Sequence, residues 1–575
     1  MTKQSAHSIL RQAFLTGVGV AATCIASAAG DPLHHALEAT LSVPFVVPGG
    51  ITRDFLIQAE FPGSPVRTQL FGKVLVRDPN GIVISTQAVE LSLLQSARTA
   101  NTLHWPPADL PTESLAPGFY SATLEAAALE PWLLGRIAGA ESTIERVNQA
   151  LVTSPNGRVD QVWEFQVGQV APPAMPAFSG LNRPGQARRG DLPFPYTAYL
   201  GNFHSQTNHS DGGGAVEKCS SSQGAQTGAF GPADAFAFAR NRGLDFLMVS
   251  EHNHYFDGSS GTNSSATPAA AIALYQSGLT AASQFTMSFP EFLSIYGMEW
   301  GVISNGGHLN VIGSSVLWGW EYNAQSQLLA GMLTPKSDYA SLYATMRAAG
   351  TIGQFNHPDS TGFQINGVAL GYSADGDEVM VMSEILNSSA FSNNVTETET
   401  GQSSYASVFN RLLERGYHVA PSSNQDNHCA NWGASFTNRT AVLIPTGTAF
   451  NQSSLNNALR ARRVFATTDK TSQIVLSAGA HLMGERITNT GAITLNVFYA
   501  TSGTSSVSRV EIFEGVPQRN GTVTQLVQAA TTTLTPTVGE HFYYAKVTQA
   551  DGKLLWSAPI WITQTDDAIF SDRFE

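Results

Sequence analysis

Between His204 and His428 the chain repeatedly sets imidazole or carboxylate side chains at or just after a short apolar run. The first segment reads His204-Ser205-Gln206-Thr207-Asn208-His209-Ser210-Asp211, and the second is Glu251-His252-Asn253-His254. Glu299 follows Gly297-Met298, His308 opens His308-Leu309-Asn310, His357 lies in Asn356-His357-Pro358, and Asp426-Asn427-His428 closes the series. One such histidine means little, because most are surface or satisfied core residues. Together they supply what divalent metals of intermediate softness require: imidazole nitrogen and carboxylate oxygen converging from several elements, with a carboxylate able to bridge. No Gly-x-Ser-x-Gly elbow between strand and helix, P-loop or dinucleotide glycine motif competes with them.

The elements that must position these residues lie in roughly 196–470. Short apolar runs such as Phe246-Leu247-Met248-Val249 and Leu309-Asn310-Val311-Ile312 alternate there with helical segments. The clearest helix runs from Pro232 to Arg242, with proline in its first turn and a stop at Gly243. Such alternation predicts parallel strands with crossovers, in an α/β barrel or open sheet, with chemistry at the strand C-termini. The expected pocket-shaping loops are 212–231, 257–290 and 388–404. Glu384 and Asn387 follow the strand near Met382; they either support the ligands from behind or, more economically, Glu384 caps a helix N-terminus. On either side the patterning is β. Residues 30–170 read as an N-terminal β-rich domain interrupted by a helical stretch near Leu133–Leu151, and 171–195 as a Pro-rich linker. Residues 471–565 read as a C-terminal β-sandwich and 566–575 as an acidic tail.

With 575 residues the chain exceeds one hydrophobic core. Its formal charge of −13 lacks the positive footprint that nucleic acid or an anionic membrane needs, so the expected partner is a small molecule. Lys3 and Arg11, the apolar Ala13–Ala26 stretch and Ala26-Ser27-Ala28 make 1–29 a secretory signal, too interrupted for the roughly 20 apolar residues of a membrane span. The chain is therefore expected in the periplasm or outside the cell. Its removal takes Cys24 and leaves Cys219 and Cys429, either as one disulfide beside the candidate ligands or as two buried thiols.

The order His204-x-Gln206-Thr207, Ser210-Asp211-Gly212, Glu251-His252-Asn253, Glu299, His308, His357, Asp426-x-His428 resembles the polymerase-and-histidinol-phosphatase (PHP) superfamily, in particular its exported carbaryl-hydrolase-like (CehA/McbA) group. The resemblance implies a distorted seven-stranded β/α barrel flanked by β-rich domains, holding two or three divalent ions (Zn, Mn or Fe). One ion would be held by His204, Glu299 and Asp426, a second by Glu299, His308 and His357, and a third by Asp211, His252 and His428. Gln206 stands where the family has a second histidine and would be a weaker ligand. Glu251 replaces an aspartate and would orient a ligating histidine by accepting its second N–H. His209 and His254 are not needed as ligands; they are candidates for proton transfer or substrate binding, or else exposed loop histidines. The implied function is a secreted metal-dependent hydrolase of a phosphoester, carbamate or related small-molecule ester. The alternative is a metal-containing, catalytically weak binding protein of the cell envelope or exterior.

Overall fold

The computed structural model describes residues 37–566 except 62–66, 95–97, 155–157, 186–193, 220, 304–305, 359–363 and 366–367. The signal segment 1–29, Cys24 and the tail beyond Asp566 lie outside the described residues, as does part of the Pro-rich stretch. The molecule is a sheet-rich mixture of α and β structure.

The N-terminal unit packs a three-stranded sheet (Glu38–Ser42, Arg53–Glu60, Thr99–Trp105) on a four-stranded antiparallel one (Val83–Leu93, Thr68–Arg77, Gly118–Leu129, Arg158–Val167). Alternating strand positions send Phe55, Trp105, Tyr120 and Phe165 into the space between, where the Trp105 and Phe165 rings stand edge to face at 4.9 Å. The expected helix forms over Thr143–Thr153 only, starting at the Ser142 cap, whose hydroxyl accepts from the Glu145 amide. Upstream, Pro131 and Gly135 support no more than a 3-10 stretch, Pro131–Arg136. The Pro-rich connection is anchored rather than free: Leu181 is buried, and its N–H donates to Gln473 Oε1 at 2.7 Å.

Seven strands of the central region hydrogen-bond in one run: β1 (Tyr196–Asn202), β2 (Phe246–His252), β3 (Leu293–Val302), β4 (Gly307–Ile312), β5 (Ile352–Phe355), β6 (Met380–Ser388) and β7 (Ala420–Asn424). Apart from half-buried positions in β1 and at Gly307, these strands are buried on both faces, which suits the apolar runs of β2, β3 and β6. Beyond β7, Asp426 N donates to His204 O and Gln206 N to Asn427 O, so the chain leaving the last strand pairs with the chain leaving the first. The strands are not all parallel as expected. β4 runs antiparallel to β3 and β5, because the four residues between β3 and β4 are too few for a crossover. That hairpin requires Gly301 at φ 118°, where a Cβ would stand 2.3 Å from Gly307 O.

Helices Pro232–Asn241, Pro268–Ser288, Tyr339–Ala349 and Ala406–Arg415 cover the outer side, burying residues such as Phe236, Tyr275, Leu342 and Phe409. Most of the expected 257–290 loop is the second of these, opened by Thr267, whose hydroxyl accepts from the Ala270 amide, and by Pro268. On its other edge β1 pairs with Arg439–Pro445, which continues through Val464–Thr467 and Leu554–Ser557 into Gly539–Gln549 and Val507–Gly515. The sheet thus crosses the expected boundary near 470 without a break. A second sheet (Ser472–Ala478, His481–Leu482, Ile493–Thr501, Thr531–Leu534) belongs to the same hydrophobic cluster as the central strands.

Candidate metal centre

One face of each central strand changes from apolar to polar toward the same end of the run. Phe246 and Met248 precede Ser250 and His252; Leu293 and Ile295 precede Gly297 and Glu299; Met382 precedes Glu384; Ala420 precedes Ser422 and Asn424. The antiparallel β4 reverses the order, His308-x-Asn310-x-Ile312, and so delivers its first residues to the end where its neighbours deliver their last.

Glu299 is at the centre of what results. Its carboxylate is fully buried, and its oxygens lie 3.0 Å from His204 Nε2, 3.1 Å from His308 Nδ1, 3.1 Å from His357 Nε2 and 3.3 Å from His252 Nδ1. Asp426 Oδ1 is 3.0 Å from His204 Nε2, and Asp211 Oδ1 is 3.7 Å from His252 Nε2 and 3.6 Å from His428 Nε2. Among the described residues three groups emerge in which one donor atom per residue falls within 4.8 Å of the others: His204-His357-Asp426, His252-Glu299-His308 and Asp211-His252-His428. Relative to the sets implied by the family pattern, His357 joins His204 and Asp426, while His252 also faces Glu299. His357 (φ 23°) and Asp426 (φ 49°) hold left-handed backbone conformations, which branched or bulky residues rarely adopt and which collect at functional sites.

Charge explains why such a cluster calls for cations. Three carboxylates and five imidazoles share a buried space, and buried carboxylate charge is costly unless paired or metal-bound. Burial alone would raise Glu299, but His204, His308 and His252 hold it well below the usual carboxylate range. Burial would depress His204, yet Asp426, Glu299 and Glu384 raise it well above its ordinary value. His252 is instead carried well below by burial. The donors are the mixed nitrogen and oxygen set that zinc-like and manganese-like ions accept, so the residues present fit divalent metals.

Support comes from residues behind the ligands, whose part in the site the sequence does not single out. Glu384 caps no helix: the helix before it, Ala374–Val379, has ended, and Glu384 lies inside β6. It accepts from His204 Nδ1 at 2.9 Å and from the His357 amide, while Asn424 and Asn387 donate to it at 2.9 and 2.8 Å. Asn356 donates to Glu299 and Asn310, both at 2.9 Å. Only the one-face alternation within each strand could have revealed this neutral amide layer.

Gln206 is the one amide among the predicted metal residues. Glu299 only accepts, so the Gln206 amide turns its Nε2 to that carboxylate at 2.6 Å, and its Oε1 accepts from Ser210 at 3.1 Å. In this geometry it holds Glu299 as a donor rather than offering a metal ligand. Glu251 faces the 204–212 loop. It accepts from the Thr207 amide at 3.0 Å and from the Thr207 and Ser210 hydroxyls, tying down the 204–212 loop, and burial pushes its carboxyl up to about 7. His209 is not brought to the groups. Its Nδ1 bonds the Tyr296 hydroxyl at 2.7 Å, and Tyr296 lies on the face of β3 opposite Glu299; burial lowers His209 to about 4. His254 is close: its ring lies 6.2 Å from that of His252 and stacks on Trp320 at 5.6 Å. Cys219 and Cys429 are bridged, fastening the 212–231 loop beside His428 across 210 residues of sequence.

Neither a family model nor a curated protein matches this chain. Solved structures with some likeness include a β-glucuronidase from Bacteroides uniformis, 9% identical, covering 92% of this chain and 61% of that one at a TM-score of 0.15. Another is a β-glucuronidase from Parabacteroides merdae, 8% identical, covering 92% and 64% at a TM-score of 0.14. A glycosyl hydrolase family 2 member from Bacteroides cellulosilyticus is 9% identical, covering 92% and 63% at 0.13. The chain spans about three fifths of the length of these proteins, and likeness at such TM-scores carries no argument about this one.

Proposed function

We propose that this chain is an exported metal-dependent hydrolase of the PHP type, its seven central strands forming that family's distorted barrel. The observation that carries the reading is Glu299: one buried carboxylate facing four imidazoles, with two further carboxylates alongside. His204, His357 and Asp426 would hold one cation, His252, Glu299 and His308 a second, and Asp211, His252 and His428 a third. Divalent cations held there would supply a Lewis acid for a phosphoryl or acyl oxygen and make water acidic enough to ionise near neutral pH.

The chain's own residues prepare that chemistry. Glu384 accepts the Nδ1 proton of His204 and so directs Nε2 toward Glu299 and Asp426. Asn356 and Gln206 donate to Glu299 and fix its two oxygens. His254, backed by Trp320 at the edge of the cluster, is the group placed to carry a proton to a leaving alkoxide or amine at a ring nitrogen. Export is supported by the Cys219–Cys429 bridge, a bond kept in oxidising compartments. No helix among the described residues is long and apolar enough to cross a membrane.

The test is hydrolysis of a phosphate monoester, a phosphodiester, an acyl ester and an aryl carbamate, with and without chelator. Turnover of at least one that chelator abolishes and added Mn or Zn restores is expected. Turnover indifferent to chelator would sink the metal-dependent reading.

A further inference from the structure

The N-terminal β unit reaches the candidate metal centre through the short segment that follows β6. Ser389 Oγ donates to Glu38 Oε2 at 2.9 Å and lies 3.1 Å from Glu60 Oε1, and the Ala390 amide donates to Glu38 Oε1 at 3.1 Å. Arg98, also from the N-terminal unit, bonds Ser389 Oγ, pairs with Glu60 at 3.0 Å and reaches Glu399 of the central region at 3.2 Å. The same residue that Glu38 holds by its N–H gives its carbonyl to the metal centre: Ala390 O accepts from the His428 amide at 3.0 Å. Next to it the Phe391 ring lies against the His428 imidazole, centroids 4.9 Å apart.

Resting on the metal-centre reading above, we infer that Glu38 is a positioning residue for His428, so that the N-terminal unit sets the geometry of the Asp211-His252-His428 group from outside the barrel. A carboxylate suits the task because its two oxygens accept separately, Oε1 from the Ala390 amide and Oε2 from the Ser389 hydroxyl, holding both ends of one peptide step. Burial and the neighbouring Glu60 push Glu38 up to about 8; a glutamine in its place keeps one acceptor for the Ala390 amide and turns its NH2 to Ser389 Oγ, whose own proton then goes to Glu60.

The experiment is titration of the metal-stripped full chain with cobalt(II), followed by its visible absorption, alongside thermal unfolding. In Glu38→Ala one cobalt ion of the set is expected to bind about 10–100-fold more weakly, while the remaining ions titrate as in the wild type. Glu38→Gln is expected to restore the wild-type curve. A Glu38→Ala titration identical to wild type overturns the inference. So does uniform weakening of every ion together with a lowered melting temperature, which marks a merely structural role. Should that variant not fold, Ser389→Ala, which unties Ser389 from Glu38 and Glu60 but keeps every carboxylate, must weaken the same ion; a wild-type curve there overturns the inference too. If the wild type itself takes up no cobalt, the metal-centre reading fails, and this inference with it.

Discussion

Glu299 faces His204, His252, His308 and His357 at once, and no neutral side chain can replace the charge it places among them. Glu299→Gln is expected to lower bound metal by at least one ion per chain and turnover by about a thousandfold or more, read by elemental analysis and steady-state kinetics. Glu384→Ala should leave the ligands in place but weaken metal binding about 10–100-fold, because His204 loses the acceptor that fixes its tautomer. A metal titration equal to wild type would remove Glu384 from the account. At this scale the sequence showed which residues carry charge or imidazole near strand ends. It did not show direction: His209 is only two positions from the loop residue Thr207, yet it turns to Tyr296. Gln206 likewise faces inward but as a donor, a choice set by Glu299 on β3 and invisible along the chain.

At the scale of elements, alternation within strands carried more information than the apolar runs alone. The order apolar-then-polar on one face of β2, β3 and β6, against polar-then-apolar in β4, is present in the sequence and marks β4 as the reversed strand. Reading only the runs made all strands look parallel. Helix Pro268–Ser288 is hard to read along the chain because Ala, Ser, Gly and Thr dominate it, giving a weak apolar stripe, although Thr267 as N-cap followed by Pro268 is a legible start. The disulfide tests the bracing of an element. Cys219→Ser is expected to cost about 2–4 kcal/mol, seen as a lower unfolding temperature and faster proteolysis within 212–231. An unchanged melting temperature would show that the loop needs no bridge.

Over the whole molecule the three regions are fastened by charge as well as by the continuous sheet. Glu164 of the N-terminal unit accepts from Arg509 at 2.9 Å and Lys546 at 2.6 Å of the C-terminal one. His418, beside the central strands, lies 2.8 Å from Asp377 and 3.2 Å from Glu540 of the C-terminal sheet. Burial opposes the charge on His418, but those two carboxylates raise it above its ordinary value. Asp377 would be raised by burial yet is held down by His418, and Glu540 is lowered by the same imidazole. The raised histidine contributes fully below its unfolded value, about 6.5, and its contribution fades as pH rises through the folded value. The lowered carboxylates contribute above about 4 and fade as pH falls through theirs. His418→Gln should therefore lower the melting temperature most between about pH 4.5 and 6.5, and a deficit that grows above pH 8 would contradict this. The His418–Glu540 contact joins residues 122 positions apart, and the central and C-terminal regions that patterning separated near 470 share one apolar core, whereas residues 37–167 keep clusters of their own. The central claim is tested most directly by elemental analysis of the purified chain beside Glu299→Gln. The account predicts two or three tightly held divalent ions in the first and fewer in the second; a wild-type chain that neither retains nor takes up metal would contradict it.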